Sequence, residues 1–183
     1  MCPGADGAGA QSSVRIVDLG PEYTAGLAAC QIACWREAYR GLVPDHVLDA
    51  FDVEQRTQQY DRILAAGTGH TVVAVETVAV DASDAVVGFT SSGPLLDGEL
   101  PGARCEKALY ALYVRRSRYG TGLADRLITT ILGDAAALLW VFEDNPRARA
   151  FYTRHGFVAD VTRQIEPFCL IPEIRMQRPA VGN

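Results

Sequence analysis

The segment Arg118-Tyr119-Gly120-Thr121-Gly122-Leu123-Ala124 places two glycines directly ahead of a run in which Leu123, Leu127, Ile128 and Ile131 recur at helical spacing, and Gly133 ends that pattern after Leu132. The first turn of a helix presents unpaired N–H groups and the positive end of its dipole, and glycine lets a bulky anion come close to the backbone. The chemistry on offer is phosphate binding. An ordinary glycine-rich turn carries the same letters, so context must separate the two. A dinucleotide fingerprint would need a third glycine at position 125, where the chain has Asp125, and the Gly-Lys-Ser/Thr of a Walker loop is absent.

The elements around this turn are legible. Leu109 to Val114 (LYALYV) reads as a buried strand ending at Arg115 and Arg116, which puts the glycines between a strand end and a helix start. Ala137 to Phe142 (ALLWVF) reads as a second buried strand that ends at Glu143-Asp144. Asn145-Pro146 then opens a helix, with Asn as the N-cap and Pro at the first position, and His155-Gly156 closes it at a place suited to a left-handed C-cap.

Taken together, Tyr119 to Ala124 and Asn145-Pro146-Arg147-Ala148-Arg149-Ala150-Phe151-Tyr152-Thr153-Arg154-His155-Gly156-Phe157 resemble the GNAT superfamily of acyl-CoA-dependent N-acetyltransferases. The second segment matches that family's N-x-x-A-x-x-F-Y-x-x-x-G-F at every fixed position, and its distance from the glycine turn is also the family's. The resemblance implies acetyl-CoA as co-substrate, with no metal. It implies that Arg118, Tyr119, Gly120, Thr121, Gly122, Leu123 and Ala124 hold the pyrophosphate, that the backbone of Leu112, Tyr113 and Val114 pairs with the pantetheine arm, and that Asn145 contacts the cofactor. Tyr152 is then the general acid. One departure is that the family usually has Gln or Arg where this chain has Tyr119, and Arg118 is the expected source of the lost phosphate contact.

A tyrosine suits the acid role because its reference pKa of about 10 keeps it protonated at neutral pH, while a departing thiolate with a conjugate pKa of about 8.5 can take the proton as it forms. The alternative is an aromatic that only packs the last helix. Many family members place a glutamate base on the central strand where this chain has Ala108. Glu106, about 7 Å further back on the same strand face, and Glu143, at the end of the neighbouring strand, are the candidates, acting directly or through water. Each also reads as a solvated surface carboxylate. Trp35 to Pro44 is similar to the opening of many members, where helix and loop border the acceptor site. Tyr39 is the candidate substrate contact there, against a reading in which Trp35 and Tyr39 are a stacked core pair.

With 183 residues, 49% of them hydrophobic, the chain is expected to form one domain over residues 14–178, with a tail at 1–13 and another at 179–183. A net charge of −5 argues against nucleic-acid and anionic-membrane binding and favours cationic substrates, a small-molecule amine or a peptide amine. A homodimer is left open. Five cysteines without a C-x-x-C pair indicate neither a disulfide framework nor a zinc site. Cys30 and Cys34, one helical turn apart, read as core packing more readily than as a metal pair. These features, and the lack of a secretory signal, place the expected protein in the cytoplasm.

Along the chain the expectation is a strand at Val14 to Asp18, a helix from Pro21 to Arg40, helical pieces at Val47 to Phe51 and Val53 to Ala66, and strands at Thr71 to Val80 and Ala85 to Ser91 joined by a polar turn. A loop over Ser92 to Arg104 leads to the core stretch, and strands at Val158 to Ile165 and Phe168 to Met176 close the chain, with Pro172 demoting part of the last one to an edge or bulge. The fold class is α/β, with a mixed, largely antiparallel central sheet flanked by helices. The function implied is N-acetyl transfer to a primary amine, against the alternatives of an acyl-CoA-binding sensor without turnover and of protein acetylation.

Overall fold

The computed structural model describes residues 13–77, 84–96, 102–167 and 169–180. The strands are β1 (Val14–Asp18), β2 (His70–Thr77), β3 (Asp84–Pro94), β4 (Lys107–Val114), β5 (Ala137–Phe142), β6 (Val158–Ile165) and β7 (Pro172–Arg178). The helices are α1 (Thr24–Tyr39), α2 (Asp45–Asp49), α3 (Val53–Ala66), α4 (Leu123–Leu132) and α5 (Pro146–Arg154), with short 3-10 turns at Pro21–Tyr23 and Arg116–Arg118. The strands form one seven-stranded sheet in the order β1-β2-β3-β4-β5-β7-β6. Only the β4–β5 pair is parallel, so the sheet is mixed and largely antiparallel, as the sequence implies.

Both faces are covered. Leu27, Cys30 and Cys34 of α1 and Tyr60 of α3 pack on Val73, Val75 and Phe89 on one side. Leu123, Leu127, Ile128 and Ile131 of α4 pack on Val72, Ala74, Leu139 and Ile174 on the other. This explains why β2 reads as an unbroken apolar run, since alternate residues each have a helix layer to bury against. A smaller cluster of Val43, Leu48 and Phe142, with Trp35, Tyr39 and Phe51 against it, closes one end. Among the described residues no helix is long and apolar enough to cross a membrane.

Several boundaries differ from the sequence reading for identifiable reasons. The short helix starts at Asp45, ahead of the expected Val47, because the Pro44 carbonyl already accepts from Val47 N at 3.0 Å. β3 runs on through Pro94 because pairing with β4 continues at Gly93↔Ala108 and Pro94↔Lys107, after the apolar pattern has ended. The last strand begins at Pro172 and ends at Arg178, and it lies between β5 and β6, so it is no edge; proline sits at its first residue, a position strands tolerate. The turn expected at 81–84 lies mostly outside the described residues, as do Val78 to Val80 and Phe168.

Arg175 of β7 is 3% exposed, and its Nε donates to Asp160 Oδ2 at 2.8 Å, where β6 changes register. Asp160 also accepts from Thr162 N at 2.7 Å and Gln177 Nε2 at 2.6 Å. Partial burial pushes the Asp160 carboxyl up, but these hydrogen bonds outweigh it and hold the group at about 2. A depressed carboxyl contributes stability that is present above its unfolded pKa of about 3.9 and disappears as pH falls through the folded value. Asp160→Asn should therefore cost about 1 kcal/mol at pH 7 by denaturant unfolding, because it removes the charge that Thr162, Arg175 and Gln177 stabilise at a partly exposed site, and should flatten the wild-type stability loss between about pH 4 and pH 2.

Candidate active site

In the β4–β5 pair the register is Ala108↔Leu138, so the parallel ladder holds at the start of both strands and the described pairing does not continue beyond it. Toward their C-terminal ends Leu112 to Val114 and Trp140 to Phe142 line a cleft of about 1080 Å³. Unpaired strand backbone seeks hydrogen-bond partners, and a ligand lying in the gap would supply them.

At one mouth of this cleft stands the glycine turn. Gly120 and Gly122 have φ of +75° and +77°, and a Cβ on either would meet nothing within 4 Å, so the turn is left-handed and open on the cleft side. Gly122 is the N-cap of α4 and brings no side-chain acceptor, which leaves the first-turn N–H groups to a ligand. Thr121 Oγ1 donates to the Arg118 carbonyl at 2.8 Å and braces the turn. In that first turn Asp125 Oδ1 lies at hydrogen-bond distance, 2.9 Å, from His155 Nε2.

The cations there are arranged differently from the sequence expectation. Arg118 lines the cleft, but its Nη2 is ion-paired with Glu76 of β2, while its buried Nε has no hydrogen-bond partner among the described residues. Tyr119 carries an arginine with it: the Arg147 guanidinium lies 4.0 Å from the ring centroid and donates through Nη2 to the tyrosine hydroxyl at 2.9 Å. Arg154 lines the same cleft. Arg147 and Arg154 were missed because they sit at variable positions of the motif, yet their seven-residue spacing on a helix, two turns apart, is visible in the sequence.

The second segment folds as its residues dictate. Asn145 Oδ1 caps α5 by accepting from Ala148 N at 3.1 Å, Pro146 takes the first position, and Gly156 adopts φ +82° at the far end. Tyr152, on the last full turn, lines the cleft and rests edge-to-face on Phe151 and Phe157 at 5.4 and 5.8 Å. Among the described residues no protein group hydrogen-bonds its hydroxyl, and burial raises its pKa above the ordinary tyrosine value, with Tyr113 adding to the effect.

Trp35 and Tyr39 both pack and line the cleft, so the two sequence readings of this pair merge. Tyr39 lies 5.8 Å from Trp35 and 4.9 Å from Phe142, ring to ring, and shares a 3.2 Å hydrogen bond with the Tyr113 hydroxyl. Burial raises both phenols, with the hydrogen bond to Tyr113 opposing the shift at Tyr39.

The structure brings neither carboxylate candidate to this place. Glu106 is exposed just ahead of β4, and Glu143 accepts from Arg163 Nη2 at 2.7 Å, a contact that lowers its pKa; neither lines the cleft. The carboxylates that do line this end are Glu166 and Glu173 of the β6–β7 hairpin. Glu166 is occupied with Cys169, whose N–H it accepts at 2.7 Å. Among the described residues no group of three or more His, Cys, Asp or Glu side chains is placed to hold a metal.

A mixed sheet parted between its parallel strands, with an uncapped glycine turn at the opening, defines an acyltransferase-like α/β architecture. The chain belongs to the acetyltransferase (GNAT) family, whose profile matches residues 35–157. No curated protein matches the chain. Its fold is similar to that of the PaiA N-acetyltransferase from Thermoplasma acidophilum in complex with coenzyme A, at 16% identity over 91% of this chain and 99% of that one, TM-score 0.64. It is also similar to YncA from Salmonella typhimurium with its cofactor acetyl-CoA, at 15% identity over 94% and 96%, TM-score 0.64. A third similar fold is ribosomal-protein-alanine N-acetyltransferase from Brucella melitensis, at 19% identity over 90% and 99%, TM-score 0.62.

The left-handed geometry of the turn has a cost that is separable from ligand binding. Gly122→Ala meets no clash, so its expected effect is the backbone strain alone, about 1 kcal/mol of lost stability by denaturant unfolding. A loss several times larger would mean that the turn packs more tightly than its open surroundings indicate.

Proposed function

We propose that this protein transfers the acetyl group of acetyl-CoA to a primary amine by direct attack, with Tyr152 as the general acid. The observation that carries the reading is the junction of three features in one cleft: parted β4 and β5 backbones, an uncapped glycine N-terminus on α4, and a protonated tyrosine hydroxyl without a protein partner. The residues present fit the co-substrate. Gly120 and Gly122 leave the cradle clear, and the orphaned Nε of Arg118 awaits an acceptor. Tyr119, Thr121, Leu123 and Ala124 complete the turn, with Arg147 and Arg154 adding positive charge beside it.

In this reading Arg118 to Ala124 receive the pyrophosphate, the backbone of Leu112, Tyr113 and Val114 receives the pantetheine arm, and Asn145 braces α5 beside it. Acetyl-CoA supplies an activated thioester. Tyr152 then protects the departing sulfur from becoming a free thiolate by giving it a proton. Its raised pKa does not defeat this, because burial that disfavours a phenolate disfavours a thiolate in the same cleft as well. Tyr39 borders the acceptor side, where a small-molecule amine or a peptide amine would enter. The free thiols of Cys30, Cys34, Cys105 and Cys169 suit a reducing compartment, and the proposal places the activity in the cytoplasm.

Two variants test the reading. Gly122→Glu puts a carboxylate against the phosphate cradle and should abolish acetyl-CoA binding by calorimetry while the protein stays folded. Tyr152→Phe should keep acetyl-CoA affinity and lower kcat by a factor of about 10² to 10⁴. The wild-type rate should persist through the ordinary tyrosine pKa of about 10 and fall only above it, since the folded pKa is raised, and the phenylalanine variant should lack that alkaline limb. Wild-type kcat in Tyr152→Phe, with chemistry limiting, overturns the acid assignment. Acetyl-CoA binding without thiol release for any amine tried would instead mark a sensor.

A further inference from the structure

Glu173 is a partly buried carboxylate that lines the cleft and has no ion pair among the described residues. In the register of β7 it pairs with Phe142 on β5 and with Gln164 on β6. Directly paired residues on neighbouring strands project to the same side, so Glu173 shares the face of Phe142, whose ring meets Tyr39 at 4.9 Å. Its neighbour Ile174 goes the other way, into the core under α4. Glu173 thus opens on the acceptor side of the cleft, at the level where β4 and β5 have parted.

One oxygen of the carboxylate accepts Gln164 Nε2 at 2.8 Å, and among the described residues no arginine or lysine pairs with it. The contrast with its peers is direct: Glu37 has Arg115, Glu76 has Arg118, Glu143 has Arg163 and Asp160 has Arg175. The titratable groups near Glu173 are Tyr39 of α1, Tyr113 of β4, and Glu166 and Cys169 of the hairpin, none of them a cation. A partly buried carboxylate with one neutral donor is an incomplete ion pair, and a ligand cation completes it.

Building on the acetyl-transfer reading, we infer that Glu173 binds the acceptor as a primary ammonium and serves as the general base, and that the acceptor carries an apolar body against the wall of Trp35, Tyr39 and Phe142. Glu173 takes one proton from R–NH₃⁺, giving R–NH₂ and a neutral carboxylic acid. The nitrogen lone pair forms the bond to the acetyl carbon, the C–S electrons leave with the sulfur, and Tyr152 supplies the proton that makes the thiol. The second nitrogen proton restores Tyr152, and Glu173 returns its proton to water. The sum is one amide, one thiol and one released proton. Burial and the nearby Glu166 raise the free carboxyl, with Gln164 opposing, so its protonation sets an acid limit to activity above the ordinary carboxylate range.

The test begins with acetyl-CoA-dependent thiol release by the wild-type protein for phenethylamine, cadaverine and an alanyl peptide. No release with any of them overturns acetyl transfer to amines. With phenethylamine, kcat/KM should exceed that for cadaverine, which offers no aromatic body, and should fall toward low pH. Glu173→Gln should lower kcat/KM about 10² to 10³-fold and remove the acid limb, Glu173→Asp should regain part of both, and calorimetric acetyl-CoA affinity should not change. A glutamine variant with wild-type kcat/KM and acid limb overturns the assignment to Glu173 while leaving acetyl transfer standing. Should that variant fail to fold, the wild-type Glu173 carboxyl is titrated by ¹³C NMR in the CoA complex. Phenethylamine must lower its midpoint by pairing with it, and an unmoved midpoint overturns the inference without reference to turnover.

Discussion

The structure depends on a parallel strand pair that stays together at one end and parts at the other. β4 and β5 are joined by a crossover through α4, and their register meets at Ala108↔Leu138. Each strand is meanwhile held on its outer side, β4 by β3 over seven paired positions and β5 by β7 over six, so neither can turn to close the gap. Backbone N–H and C=O groups that face such an opening are costly to leave unpaired, and the cleft is tolerable because a ligand of matching hydrogen-bond pattern can occupy it. The cleft at this gap is lined from both faces of the sheet. For that reason α5, on one face, can deliver Tyr152 to a space that α1, on the other, borders with Tyr39.

Charge is distributed along this opening in a way that matches two different ligands. Arg118, Arg147 and Arg154 lie with the glycine turn, and Glu166 and Glu173 lie with the β6–β7 hairpin. The net charge of −5 therefore does not describe the cleft, which is positive where a phosphate would bind and negative where an amine would enter. The Arg118–Glu76 ion pair adds a structural link, since it ties the turn to β2, two strands away from β4.

Local features were legible in the sequence and non-local ones were not. Gly122, Asn145, Pro146 and Gly156 act through their own backbone or that of residues three positions away, so their types alone specify the turn and the caps. The helices α3 and α4 and the strands β1, β5 and β6 coincide with their apolar patterns for the same reason. Glu173 was not legible, because its meaning comes from β7 inserting between β5 and β6, and that insertion is a property of pairing across the sheet. The apolar run ahead of Pro172 placed the start of the last strand four residues early, and Pro172, read as a sign of an edge or bulge, instead opens a strand that lies inside the sheet. Arg118 looked available because nothing nearby in sequence opposes it, whereas its partner Glu76 lies 42 positions away. The base candidates Glu106 and Glu143 lie away from the cleft lining for a related reason, for strand alternation places a side chain on a face but does not say where along the strand the sheet opens.

Burial acts on the proton-bearing groups of the cleft in one direction, and this constrains what can enter. Tyr39, Tyr113, Tyr152 and Glu173 are all pushed toward their neutral, protonated forms. Such a site resists negative charge on its own side chains, and it yields a carboxylate at Glu173 most readily when a cation arrives to pair with it. An amine in water near neutral pH is mostly an ammonium, so it brings that cation and also the proton that must be removed before nitrogen can attack. Moving one proton from the ammonium to Glu173 inside the cleft converts two buried charges into none, which the low dielectric favours. The same low dielectric makes a free thiolate costly at the later stage, and in the proposed reaction the protonated hydroxyl of Tyr152 is the group that prevents it. On the proposed assignment, desolvation couples the deprotonation of the nucleophile to the protonation of the leaving group, although Glu173 and Tyr152 come from different elements of the fold.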